Sequence, residues 1–300
     1  MKCIYELTKP TSSTPSEIQI DSHAVIKSGT FLRRSDGLLI QRFYCKCCKK
    51  TFSTESLSIY KFQKKRFLND LIFSLLASGN SQRRLAKLLS VNQKTIVRKF
   101  TLLGKICLND MKLFKHLPNR PIAKFIFDDM ETFEHTKLKP LSITLAVEDK
   151  SRIILDFRIS TMKAKGHLAE RGRKKYGYRK DERKTNLDDL LKNLKQKTIQ
   201  NPHIKSDMSP HYSLPVQKYF PRSVHEVFKG RKGCIVGQGE LKAIGFDPIF
   251  SLNHTAAMLR ANINRLFRRT WNTTKKTICL SYHIAIYVFY HNLRLLDPPH

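Results

Sequence analysis

Two acids stand side by side where the apolar run Ala123-Lys-Phe-Ile-Phe meets Asp128 and Asp129. The chain has 300 residues, 56 Lys and Arg against 24 Asp and Glu, and a formal net charge of +32. In so basic a chain, an acid at the tip of a buried strand is costly to desolvate unless a positive charge such as a metal ion meets it. The plainer alternative is that Asp128 caps a turn after an ordinary edge strand. Asp207 is a second acid, near the end of the short extended segment Asn201–Ser209. Two carboxylates from separate strand ends can hold divalent ions while water or a 3′-hydroxyl attacks a phosphorus in line. On its own Asp207 is an ordinary Ser-Asp turn residue.

A third element follows in Ser251–Trp271. Read as a helix at about 100° per residue, it sets Ala256, Leu259, Ile263, Leu266 and Phe267 on one side. Asn253, Arg260 and Asn264 fall on the adjoining side, with Arg268 near them. An amide oxygen at the start of that ridge suits a cation, and guanidinium forks further along suit phosphates. A basic amphipathic helix packed on a sheet explains the apolar side but not the aligned Asn and Arg. Arg260, Arg265, Arg268, Arg269 and Lys275 are the expected DNA contacts of this region.

These residues need elements to carry them. Strands are expected at Lys124–Phe127, Leu141–Val147 and Arg152–Ile159, with Glu148–Ser151 as the hairpin turn and Asp129 in the turn after the first strand. A helix is expected over Asn186–Gln196. Between strands and helix, residues 163–184 hold ten Lys or Arg and three acids. Such a run is either a solvated insertion or an arm that tracks a nucleic-acid backbone, and composition does not separate the two.

Upstream, residues 64–103 have helical periodicity. Helices are expected at Arg66–Leu76 and from the N-cap Ser81 through Leu89, with a tight turn at Ser90-Val-Asn92 and a third helix from Gln93. Ile96, Phe100 and Leu103 share the inner face of that third helix. Lys94, Arg98 and Thr101 lie opposite, the arrangement of a recognition helix for the major groove. Nearer the N-terminus, short strands end in Cys45-Lys-Cys-Cys48. A Cys-x-x-Cys knuckle grips one tetrahedral zinc if two further ligands exist, and only Cys3 and His23 are candidates. A ribbon whose metal has been lost is the alternative.

Charge density of this kind points to nucleic acid. Seven cysteines, odd in number and irregularly spaced, fit a reducing compartment better than a disulfide framework. The longest apolar stretch, Ile278–Phe289, is interrupted by Ser281 and His283 and is too short to span a bilayer.

Asp128, Asp207 and the Asn253 helix resemble the catalytic core of DDE transposases from bacterial insertion sequences. The resemblance is to the type with an N-terminal zinc ribbon, a helix-turn-helix and an RNase H-like domain, and it covers most of the chain. Phe127-Asp-Asp-Met-Glu-Thr-Phe133 looks like the first catalytic strand, and Ile204-Lys-Ser-Asp207 like the fourth. Asn253-His-Thr followed by Arg260 looks like the helix with the third position, which is usually Glu and in a related subgroup Asn. The first acid in the family follows the strand directly, which favours Asp128 over Asp129. Glu226 and Glu240 are weaker candidates for the third position.

The resemblance implies a mixed α+β chain in three parts: a ribbon-like segment (1–60), a helix-turn-helix (61–110) and an RNase H-like domain (120–300) with a basic insertion near 163–200. It implies Mg²⁺ or Mn²⁺ at Asp128, Asp207 and Asn253, with zinc possible at Cys45 and Cys48. The partners would be terminal inverted repeats and target DNA, with a homo-oligomer on DNA and no membrane. The setting would be the bacterial cytoplasm, at the nucleoid. An inactive remnant acting as a DNA-binding repressor is the alternative, and an RNA-binding basic protein leaves the three site positions unexplained.

Overall fold

The computed structural model describes residues 24–61, 63–229, 247–267 and 272–297. Among these the chain is mixed α+β, with two sheets and eight α-helices, in two compact units that divide at Leu71/Ile72. No helix among the described residues is long and apolar enough to cross a membrane.

The first unit holds an antiparallel sheet of β1 (Val25–Arg33), β2 (Leu38–Cys45) and β3 (Thr51–Ser53). Its core is small: Cys45 and Phe52 are buried, with Val25, Phe43 and Cys48 packed against them. Arg33 joins the sheet to the turn that follows it by pairing with Asp36 and Glu55, at 2.5 and 2.6 Å.

The second unit is built around a five-stranded sheet. Its strands are β4 (Ile122–Phe133), β5 (Pro140–Glu148), β6 (Ile154–Thr161), β7 (Thr198–Asp207) and β8 (His225–Phe228), in the order β6-β5-β4-β7-β8. β4, β5 and β6 run antiparallel as a meander, while β7 and β8 add parallel to β4. Strands covered on both faces read as continuous apolar runs rather than alternating ones. This is the pattern of Leu141–Val147, every residue of which is buried.

On one face Phe125, Phe127, Ala146, Leu155 and Ile204 pack against α5 (Arg183–Leu194) and α6 (Ser213–Tyr219). Each such aromatic or aliphatic side chain contributes roughly 2 kcal/mol by leaving water. On β4 and β5 lies α7 (Phe250–Asn262), and α8 (Thr277–Leu296) packs on β6.

β4 runs six residues beyond the expected Phe127. Asp129 pairs with Thr144 inside the ladder, which corrects its expected place in a turn: the β-branched and apolar residues of β5 continue opposite it and keep the strand paired. β4 is the middle strand, so the edge-strand alternative for Asp128 falls too. The helix at Ser251–Trp271 also ends early, at Asn262, and a 3₁₀ turn over Asn264–Leu266 follows. Of the expected stripe, Leu259, Ile263 and Leu266 are buried and Ala256 and Phe267 half-buried, and Ser251, Leu252 and Thr255 of the helix are buried as well.

Three helices precede the sheet: α1 (Asn69–Leu76), α2 (Gln82–Leu88) and α3 (Gln93–Lys112). Ser81 and Asn92 cap α2 and α3 by accepting from Arg84 N and Lys94 N. Between them Ser90 takes a left-handed conformation, φ 48°. α3 is packed on α8 so closely that a Cβ on Gly104 would lie 2.3 Å from Tyr282 Cβ. α2 and α3 fall in the same compact unit as the sheet.

The basic run contains a helix, α4 (Leu168–Tyr176), with α5 beginning at Arg183 rather than near Asn186.

Candidate active site

β4 and β7 lie side by side and parallel, with Phe127 opposite Ser206. The next residue of each strand is an acid, Asp128 on β4 and Asp207 at the end of β7. The two far-separated carboxylates thus arrive at neighbouring positions on the middle of the sheet. Burial and then the charge of Asp207 push the Asp128 carboxyl up to about 6, with Asp129 adding to the effect. Asp207 is also raised, first by burial and then by Asp129, while the Ser209 N–H donating to its Oδ1 at 3.1 Å acts the other way.

Tyr212, buried just after β7, donates its hydroxyl to Asp128 Oδ1 at 3.2 Å. Its ring rests on Phe127, centroids 4.9 Å apart. Burial and three negative neighbours, Asp129, Asp128 and Asp207, raise the phenol far above its ordinary range, so it stays a donor. Asp129 Oδ1 accepts from the Thr144 hydroxyl at 2.5 Å. Behind Asp207, the Ser206 hydroxyl and His225 Nε2 are 2.9 Å apart, and the imidazole is lowered by burial.

None of Asp128, Asp129 and Asp207 forms an ion pair with any described residue. In a chain of net charge +32 this is an unneutralised acidic patch. Acceptor-only carboxylates that repel each other fit a hard divalent cation. Tyr212 and the Asp129 N–H both donate to Asp128 Oδ1, and Oδ2 has no donor among the described residues. Among the described residues, however, no three His, Cys, Asp or Glu side chains are placed to hold a metal by themselves.

Asn253 makes its hydrogen bond to a different acid. It is exposed on the first turn of α7 and donates its amide to Asp247 Oδ2 at 2.9 Å. Asp247 also accepts from Ile249 N, so the two side chains brace the helix start. Ser251 anchors that start on the β5–β6 hairpin, accepting from Lys150 N at 3.0 Å. The hairpin is level with Lys124, whose carbonyl accepts from Asp149 N. Asp128 lies four residues further along β4, roughly 13 Å.

Of the expected DNA contacts, Lys94 and Arg98 are exposed on α3, and Ile96, Phe100 and Leu103 are buried behind them. Thr101 is half-buried, and its hydroxyl donates to Val97 O. Arg265 faces inward instead: its Nε donates to His283 Nδ1 at 3.3 Å and its guanidinium lies over Phe100. Burial lowers its basicity. The early end of α7 turns this side chain into the α3–α8 seam. His283 is pushed down to about 4 by the same burial and by Arg265. Lys275 is exposed, with Nζ 3.1 Å from His135 Nδ1. Arg260 is half-buried on α7.

Arg268, Arg269, Cys3, His23 and Glu240 lie outside the described residues. Glu226 is engaged by His203 at 3.0 Å.

Sequence reasoning missed Tyr212, Asp129 as a strand residue, and the cap Asp247. Tyr212 carried one signal, a hydroxyl-bearing aromatic five positions after a candidate acid. No protein-family model matches the chain, and no curated protein matches it significantly.

Proposed function

We propose that the second unit is a metal-dependent DNA-cleaving and -joining enzyme of transposase type, with an RNase H-like sheet. One observation carries this: Asp128 and Asp207, the acids singled out in the resemblance as those of the first and fourth strands, occupy neighbouring positions on the first and fourth strands of the five-stranded sheet, unneutralised by any described base. We read α2, its turn and α3 as a helix-turn-helix that offers Lys94 and Arg98 to DNA, and the organism's element ends, held by a homo-oligomer, as the substrate.

Asp128 and Asp207 are the residues that would hold Mg²⁺ or Mn²⁺. Such an ion supplies charge against the phosphate oxygens and lowers the pKa of a bound water. Tyr212 orients Asp128 by fixing Oδ1, which directs Oδ2 outward. Thr144 holds Asp129 against the strand. Burial around Phe127 and Tyr212 keeps water from the inner side of the carboxylates, so their charge acts through a low dielectric.

The test is cleavage of labelled duplexes carrying the DNA that flanks the coding segment, in Mg²⁺ and in Mn²⁺. Wild-type cleavage that is lost in both Asp128→Ala and Asp207→Ala supports the proposal; cleavage surviving either change removes it.

A second reading, a non-catalytic DNA-binding repressor, is favoured by the Asn253 amide being engaged by Asp247. In the resemblance Asn253 is the third ligand; its hydrogen bond to Asp247 suits a brace for α7 instead. Asn253→Ala separates these roles: loss of cleavage at unchanged thermal stability identifies a ligand, and a lowered melting temperature with intact cleavage identifies a brace. A chain that binds element ends and never nicks them is the repressor.

A further inference from the structure

We propose that the cleft between α4 and the segment 134–139 binds the sugar-phosphate backbone of duplex DNA. The choice of DNA over another polyanion rests on the proposed function. The cleft has a volume of about 360 Å³ and is lined by Leu138, Arg171, Lys174 and Lys175.

The basic run is not a free solvated arm, because it is tied down along its length. The Thr161 hydroxyl donates to Lys180 O at 2.9 Å and to Glu182 Oε2 at 2.8 Å. Lys165 pairs with Glu131 at 2.6 Å and Arg179 with Glu134 at 3.5 Å. Gly172 is buried where α4 meets the segment; a Cβ there would lie 3.3 Å from both Leu138 O and Ala164 Cβ. Lys139 Nζ lies over the Tyr176 ring at 5.0 Å, and Lys175 Nζ at 5.6 Å.

That framework takes up the acids outside α4 that face it, and Glu170 on α4 itself makes no ion pair with a described residue. Asp181 is taken by Arg183 and Glu134 by Lys139 and Arg179. Arg171, Arg173 and Lys174 are exposed and make no ion pair with a described residue. Arg171 with Lys174 and Lys175 stands at i,i+3 and i,i+4, where like charges destabilise a helix. A C-terminal dipole accounts for Lys174 and Lys175 in the last turn, but it gives no reason for Arg171 near the start of the helix. A polyanion seated on the cleft accounts for all three, with Leu138 as an apolar wall for the sugar. The placement is useful too: Lys165 reaches Glu131, two residues beyond Asp129, and Arg183 senses the charges of Asp129 and Glu131. The segments that flank α4 on both sides thus lead towards the β4 acids.

The experiment measures binding of the full chain to two fluorescent duplexes of unrelated sequence, in EDTA, across a salt series. Three variants are compared: wild type, Arg171→Ala/Lys174→Ala/Lys175→Ala, and a control of equal charge loss, Lys112→Ala/Lys192→Ala/Lys195→Ala. The expected result is that the cleft variant binds both duplexes more weakly and that its log K against log salt slope flattens by up to about 2.7, at about 0.9 per lost phosphate contact. A cleft variant that matches the control in slope and affinity overturns the proposal. Because EDTA binding needs no catalysis, this outcome is independent of whether Asp128 and Asp207 support cleavage.

Discussion

The same sheet carries acids at both ends of β4 and treats them in opposite ways. At the β5–β6 hairpin every acid is answered by a base. Arg120 forks onto Glu148 at 2.6 and 2.9 Å, and Lys205 reaches Asp149 at 2.9 Å. Nearby on β6, Arg158 meets Asp156 at 2.6 Å. At the other end, Asp128, Asp129 and Asp207 are close enough to influence one another's protonation, with a tyrosine hydroxyl, a threonine hydroxyl and backbone amides for company. What sets these three apart, in a chain whose bases outnumber its acids more than two to one, is that they are clustered and that Asp128 is largely buried. The paired end holds the fold together, whereas the unpaired end stores repulsion that a cation would relieve.

The largest effect that would break this contrast lies in the chemistry. Asp128→Ala and Asp207→Ala should each lower the rate of element-end cleavage about a thousandfold or more, with duplex binding in EDTA unchanged. Glu148→Gln should leave cleavage per folded molecule intact. Next in size is stability at the paired end. Asp156→Ala strips partners from Arg158, Asn193 and Phe157 N and should cost about 2 kcal/mol, a fall in melting temperature of roughly 4–8 °C. A loss at Asp128 as large as that at Asp156 would erase the distinction.

Stability at the unpaired end should move the other way. The folded Asp128 pKa, about 6, is above the ordinary carboxyl value. Between about pH 4 and 6 the folded chain therefore binds more protons than the unfolded one, and stability falls as pH rises through that window. Asp128→Asn should weaken this pH dependence, leaving the part due to Asp207, and raise the melting temperature at pH 7. The gain should be on the order of 1–2 kcal/mol, given partial exposure. Divalent-ion binding should show the complementary sign, weakening below about pH 6 as Asp128 takes up a proton; calorimetric titration with Mn²⁺ measures it.

The smallest effect sharpens the role of Tyr212. Tyr212→Phe removes a hydrogen bond that lowers the Asp128 pKa, so the acidic limb of cleavage should move to higher pH, with a rate loss at neutral pH below about tenfold. An unchanged limb would make the tyrosine a packing residue.

Much of this was legible in particular residues. Leu141–Val147 and Lys124–Phe127 read as strands because residues buried on both faces leave apolar runs. Ser81 and Asn92 marked helix starts because their side chains answer exposed backbone amides. Asp129 was misread because a strand can continue through two acids when its neighbour supplies the pairing, and that neighbour is fifteen positions away. Arg265 was misread because the end of α7 at Asn262 depends on where α3 and α8 leave room. α4 was hidden inside a charge run because its anchors, Gly172 against Leu138 O and Tyr176 beneath Lys139, come from a segment far away in the sequence.

Composition and local pattern by themselves determined a basic mixed α+β chain, its main strands, its capped helices and the two acids worth pairing. Those properties depend on neighbours a few residues apart. Only the tertiary structure decided that Asp128 and Asp207 sit on adjacent strands, that Tyr212 bonds Asp128 while Asn253 bonds Asp247, and that no described base pairs with either acid. Strand order and the distribution of counter-charges are set by contacts between residues far apart in sequence, which spacing along the chain does not encode.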